Sequence, residues 1–315
     1  MDPRPGPGPG PIYLGLDGGG THTTVLATDA AGAELARVEG DAGIVDARDP
    51  AARAGVLGAL VRRALERAGA APPAAALCCA LAGAGRETER RALLAALEPL
   101  GLACAIQIVG DGEAAFHDAF GTGPGILLIA GTGSIAWGRA ADGRTARAGG
   151  WGQVLGDEGS GYALGLAGLR AVARARDGRG PDTALTEMLL AATGVGAPEE
   201  LIGWVARADK AAIAALAPRV AAAAGAGDGV AAGIVDQAAR ELAAHVAALH
   251  QRLGPWREPP AVALSGGLIA RAAAPLRDPV VAAIAALTPP LRILDRPVDA
   301  ARGAAALARA LGPAA

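Results

Sequence analysis

Lysine is almost missing from this 315-residue chain: Lys210, in an Ala-rich stretch, is the sole example, and a GxxxxGK[ST] phosphate loop is thereby excluded. Aromatic residues make up only 3%, so although 52% of the residues are hydrophobic, the core has to be built from Leu, Val, Ile and Ala. The net charge is −2 and no basic stripe runs along the chain, which excludes the usual nucleic-acid surface. No stretch supplies 18 strongly apolar residues; Ala211 to Ala226 is mostly Ala and is interrupted by Pro218 and Arg219, so no membrane span is expected. There are three cysteines, of which Cys78 and Cys79 are adjacent in an apolar run that reads as a buried strand, with neighbours pointing to opposite faces. They show neither C-x-x-C nor zinc spacing, and the reading is buried, reduced thiols in a reducing, cytoplasmic setting. The four histidines lack ligand spacing. Residues 1–11 are rich in Pro and Gly without the apolar core of a signal peptide, and a flexible tail is expected there.

What the chain has is glycine, 47 residues of it, several clustered in short motifs. Tyr13 to Leu26 reads YLGLDGGGTHTTVL: an apolar run, Asp17, three glycines, Thr21 and a second apolar run. A strand that delivers Asp17 into so bare a turn lets backbone N–H groups approach an anion, while the carboxylate can hold a hydrated metal ion. Asp-Gly between apolar runs is equally an ordinary hairpin.

Strands are expected at Thr24 to Thr28 and Ala33 to Glu39, completing an antiparallel meander, followed by a helix over Pro50 to Ala68 that Pro72-Pro73 stops. A buried strand to Leu81, a helix from about Glu87 to Leu97, a strand over Ala103 to Val109 and a short helix over Ala114 to Phe120 follow. The second half repeats the opening: GILLIA (Gly125 to Ala130), the turn Gly131-Thr132-Gly133-Ser134, a strand to Arg139, a turn with Asp142-Gly143, and a third strand. Two such units suggest a duplicated architecture, with mixed sheets flanked by helices. Gly131-x-Gly133-x-x-Ala136 also matches part of a dinucleotide fingerprint, but that requires a helix directly after the glycines, where a hairpin fits better. Helices are then expected at Tyr162 to Ala175, Ala184 to Ala192, Glu199 to Ala224 with a break at Pro218, and Val230 to Leu253. Ser265-Gly266-Gly267 reads as a turn between a strand and a helix start at Leu268 to Ala274, offering bare backbone to a flat ligand and helix N–H groups to an anion.

DGGGT at Asp17 to Thr21, GTGS at Gly131 to Ser134, GGWGQVLGDEGSGYALG at Gly149 to Gly165 and ALSGGL at Ala263 to Leu268 occur in this order. Together they resemble the N-acetylglucosamine kinase and BadF/BadG/BcrA/BcrD ATPase family, of the actin-like, ribonuclease-H-like ATPase fold. The resemblance implies an α/β chain of two such lobes with a cleft between them: residues 12–118, completed by a C-terminal helix over 299–311, and residues 119–298 with a helical insertion. It also implies ATP and Mg²⁺ as cofactors and an amino-sugar substrate, N-acetylglucosamine or glucosamine, phosphorylated on its 6-hydroxyl. The oligomeric state is open, a homodimer being one option.

By the same resemblance, Asp17 organises the metal, Gly18, Gly19, Gly20 and Thr21 hold the β- and γ-phosphates, and Gly131, Thr132, Gly133 and Ser134 close on them. Gly266 and Gly267 face adenosine. Asp111 takes the place of the catalytic aspartate, orienting a sugar hydroxyl and accepting its proton. At a helix N-terminus it should stay ionised and be a weak base, which a loose phosphoryl-transfer transition state tolerates. An N-cap role for Asp111 is compatible with this. Gly83 and Gly85 lie where the family presents a loop to the sugar, and Trp151, Gly152 and Asp157 where it builds the sugar pocket. The plain alternative makes Trp151 core and Asp157 the cap of the next helix.

The family's sugar-binding Asn is missing from the loop Gly40 to Asp46, where Asp41 or Asp46 could stand in for it. Two rival functions follow from the fold. One is an ATPase that drives electron transfer into a dehydratase or reductase through a cysteine-held iron–sulfur cluster, which Cys78-Cys79 do not resemble. The other is a non-catalytic sugar sensor.

Overall fold

The structure is a computed structural model that describes residues 10–19, 22–41, 49–84, 87–288 and 291–311. The expected tail, apart from residues 10 and 11, lies outside these, as do Gly20, Thr21, Gly85 and Asp46. The chain divides into two compact units, one running to Thr122 and resuming at Asp299, the other Gly123–Val298.

In the first unit, β1 (Tyr13–Gly18), β2 (His22–Thr28) and β3 (Glu34–Asp41) form an antiparallel meander, and β4 (Ala76–Leu81) and β5 (Ile106–Gly110) extend the sheet in parallel on the other side of β1. The order is β3-β2-β1-β4-β5. Helix α1 (Pro50–Arg67) starts where Asp49 accepts the Ala52 N–H at 2.9 Å and proline opens the first turn. Its face of Leu57, Leu60, Val61, Ala64 and Leu65 buries against the sheet. Helices α2 (Glu87–Leu97) and α3 (Asp111–Phe120) complete the crossovers.

Every residue of β4 is buried, as a strand covered on both faces must be. Cys79 packs into the core under α1, while Cys78 packs with Ala304 and Ala308 of the chain's last helix on the opposite face.

The second unit repeats the topology. Strands β6 (Gly125–Ala130), β7 (Ser134–Arg139) and β8 (Thr145–Gly149) form a meander, and β9 (Ala261–Ser265) and the two-residue β10 (Arg292–Ile293) add in parallel, in the order β10-β9-β6-β7-β8. Because β7 follows the glycines directly and pairs antiparallel with β6, the dinucleotide alternative is excluded. Between β8 and β9 lie α4 (Gly152–Leu155), α5 (Gly161–Arg176), α6 (Leu185–Thr193), α7 (Leu201–Arg207), α8 (Lys210–Ala214), α9 (Ala217–Gly225) and α10 (Gly229–Leu253). The region expected as one helix broken at Pro218 breaks twice, because Asp209 also caps a new start by accepting the Ala212 N–H at 2.7 Å.

Helix α11 (Arg277–Ala285) precedes β10, and α12 (Ala300–Leu311) returns to the first unit. There, a Cβ on Gly15 would collide with the Ala301 carbonyl and one on Gly303 with that of Ala114, so α12 packs backbone to backbone on β1 and α3. Arg302 grips the buried Asp118 at 2.5 and 3.0 Å, and Arg309 reaches Thr28. Among the described residues, no helix is long and apolar enough to cross a membrane.

Candidate active site

In the first unit, parallel pairing sets the ends of three strands level: Gly18 lies beside Leu81, and Leu81 beside Gly110. The residues that the strands deliver there are Asp17, the Ala82-Gly83-Ala84 turn and Asp111. That edge is where open α/β sheets place their ligands. Gly83 sits at φ 81°, a conformation that disfavours any side chain, and a Cβ there would meet nothing within 4 Å. Gly19 donates to the His22 carbonyl at 3.0 Å and closes the hairpin.

The two carboxylates share an electrostatic condition. Burial lifts the Asp17 carboxyl to about 6, with the negative charges of Asp111 and Asp299 adding to the effect and His22 opposing it. Asp111 is also raised by burial, although its Oδ1 accepts the Gly112 N–H at 2.9 Å. The helix cap is Gly110, so the N-cap alternative for Asp111, the first helical residue, does not hold, and burial shifts its carboxyl upward despite the helix end.

In the second unit the GTGS turn is tied down on several sides. Gly131 N donates to Gly133 O, while the first two N–H groups of α5, from Gly161 and Tyr162, donate to the carbonyls of Gly131 and Thr132 at 2.8 and 3.3 Å. Ser134 Oγ donates to the Glu158 carbonyl at 2.7 Å. Among the described residues, no turn or loop backbone bond is made by the N–H groups of Thr132 and Gly133.

Asp157 is buried, in the left-handed region at φ 62°, and caps no helix; Ser160 caps α5 instead. Its Oδ1 accepts the Ser134 N–H at 3.2 Å and its Oδ2 accepts from Lys210 Nζ at 2.6 Å. A sugar hydroxyl reaching Asp157 would have to share these oxygens.

Gly266, at φ 90°, lies so close to strand β6 that a Cβ would strike the Ala130 backbone, whereas a Cβ on Gly267 would meet nothing within 4 Å. The helix expected over Leu268 to Ala274 is a series of turns, with Leu268 N donating to Ala130 O, so helix N–H groups are not presented there. Bare backbone remains at Gly267.

Trp151 is 64% exposed, which removes the core alternative, and the Arg147 guanidinium lies 4.9 Å from its ring centroid. Gly152, at φ 81°, opens α4, where Val154 and Leu155 are also exposed.

Lys210 was not among the expected site residues. Its standing as the sole lysine was the available signal.

A Mg²⁺ ion takes one or two carboxylates, with water and phosphate oxygens completing its shell. Asp17, a carboxylate at the strand edge whose proton affinity is raised first by burial and then by the charges of Asp111 and Asp299, is a group of the type that could hold such an ion. Among the described residues no group of three His, Cys, Asp or Glu could hold a metal by itself. Cys78 and Cys79 are fully buried, with burial raising both thiols, Cys79 to about 12; both are protonated and inaccessible, while Cys104 is exposed.

The BadF/BadG/BcrA/BcrD ATPase family pattern matches residues 14–308. An N-acetylmuramic acid/N-acetylglucosamine kinase from Clostridium acetobutylicum is 32% identical over 259 residues, 81% of this chain and 85% of the relative. An N-acetyl-D-glucosamine kinase from Dictyostelium discoideum is 33% identical over 203 residues, 61% of this chain and 64% of that protein. The crystal structure of a Chromobacterium violaceum protein provisionally described as an N-acetylglucosamine kinase superposes with a TM-score of 0.77 at 30% identity, covering 95% of this chain and 99% of the other. Two five-stranded mixed sheets of one topology, flanked by helices, make this an actin-like ATPase fold. The chain belongs to the BadF/BadG/BcrA/BcrD ATPase family.

Proposed function

We propose that the protein is an ATP-dependent amino-sugar kinase that phosphorylates the 6-hydroxyl of N-acetylglucosamine or glucosamine. The observation that carries this reading is the alignment of Asp17, Gly83 and Asp111 at one edge of the first sheet. A metal-binding carboxylate, an open glycine turn and a basic carboxylate are the parts that phosphoryl transfer to a hydroxyl needs. The relatives named above, two of them sugar kinases by name, support the substrate class.

In this reading Asp111 accepts a hydrogen bond from the sugar hydroxyl, orients its oxygen toward the γ-phosphorus and takes its proton as the new P–O bond forms and the bond from the γ-phosphorus to the β–γ bridging oxygen breaks, releasing ADP. Asp17 positions Mg²⁺, which when bound supplies charge neutralisation at the β- and γ-phosphoryl oxygens. The backbone N–H groups of Thr132 and Gly133 hold phosphate oxygens, and Gly267 lies under the adenosine. Gly83 leaves room for the sugar, and Trp151 and Gly152 contact its ring.

The test is product identity. After incubation with MgATP and N-acetylglucosamine or glucosamine, a carbon spectrum should show phosphorus coupling at C6 of one of them. Phosphorus coupling at C1 would refute the regiochemistry, and unchanged sugars would refute the activity.

A further inference from the structure

The chain's sole lysine stands beside a turn that the proposed function gives to phosphate. Asp157 is 4% exposed, and its Oδ1 sits behind the turn, bonded to Ser134 N and 2.7 Å from where a Cβ on Gly133 would be. A buried carboxylate at that place opposes the approach of a triphosphate, since charge interactions are strong where water is excluded. Lys210 Nζ lies 2.6 Å from Asp157 Oδ2 and 3.1 Å from the same Gly133 point. The ammonium therefore cancels the carboxylate while the carboxylate keeps its grip on the turn.

The helix that begins with Lys210 is packed closely against α5. On α5, a Cβ on Gly165 would collide with the Ile213 carbonyl, and one on Gly161 would lie 3.1 Å from Gly131 O and 3.2 Å from Ala214 O. These glycines bring the backbone of α8, which begins with Lys210, against the helix whose first N–H groups bond the turn.

We propose that Lys210 is a positioning residue for the nucleotide: by neutralising Asp157 behind the Gly131–Ser134 turn, it allows that turn to accept the phosphates of ATP. This rests on the reading of the protein as an ATP-dependent kinase. The pair joins residues 53 positions apart and acts through the turn without touching the reacting atoms.

The test measures binding of ATP, ADP, AMP and adenosine to the wild type, Lys210→Met and the double variant Asp157→Asn/Lys210→Met, with melting temperature recorded for each. Lys210→Met should lose at least tenfold in ATP affinity, less for ADP and AMP, and nothing for adenosine. The double variant carries no buried charge, and its Asn oxygen can still accept the Ser134 N–H, so it should recover most of the ATP affinity. Equal losses for adenosine and ATP would show a merely structural role and overturn the proposal. So would a Lys210→Met protein that binds ATP as tightly as the wild type, or a double variant that folds without recovering affinity. Should Lys210→Met fail to fold, the double variant decides alone, and loss of ATP but not adenosine binding there would overturn the proposal. A wild type that binds none of the four would instead remove the kinase reading on which this one stands.

Discussion

The glycine hairpins of the two units begin alike, each at the end of the first strand of a β-meander, yet their electrostatics are opposite. In the first, burial lifts the Asp17 carboxyl to about 6, with the negative charges of Asp111 and Asp299 adding to it and His22 opposing. In the second, the buried Asp157 has its own ammonium at 2.6 Å. Duplication of a fold thus does not duplicate a site. Beside one hairpin a buried carboxylate meets further negative charge, while beside the other the buried carboxylate has a cationic partner.

Substitutions can break this contrast from either side. The largest effect is expected from Asp111→Asn, which keeps the shape but removes the base; kcat in a sugar-dependent ADP assay should fall by about 10²- to 10⁴-fold with little change in KM for ATP. Next is Gly133→Ala. Its Cβ would meet Asp157 Oδ1 at 2.7 Å and Lys210 Nζ at 3.1 Å, and displacing that pair should cost about 1–3 kcal/mol in chemical denaturation and weaken ATP binding.

Asp17→Asn should act in the opposite direction on the metal-free protein. A carboxyl whose folded-state pKa is raised from 3.8 to about 6 favours the fold below 3.8 and loses that advantage as pH rises through about 6. Above that range its charge is a burden. The variant should therefore be more stable than the wild type at pH 8, by on the order of 1 kcal/mol after allowing for partial solvent access, and the difference should vanish by about pH 4. Melting temperatures at the two pH values check this. The smallest effect belongs to Gly19→Ala, whose Cβ would make only an ordinary 3.6 Å contact with the His22 carbonyl; stability should change by less than about 0.5 kcal/mol.

Both meanders were legible in the chain because apolar runs broken by Asp/Gly turns are local signals. The identity of the motif turns was legible for the same reason. The pairing of Lys210 with Asp157 was not, since nothing local links two residues on separate elements of the helical insertion. The helix expected after Gly267 failed because Leu268 N is drawn to the Ala130 carbonyl across the sheet edge, a tertiary contact that composition does not encode. Asp111 was legible only in part: its place beside a helix N-terminus is written in the sequence, but the burial that shifts its carboxyl upward depends on the packing of the whole unit.

The account is tested most directly by ADP release from MgATP measured with and without amino sugars. It predicts negligible release from ATP alone and rapid, saturable release when N-acetylglucosamine or glucosamine is added. A rate that does not change across all sugars, or no release with any of them, would contradict it.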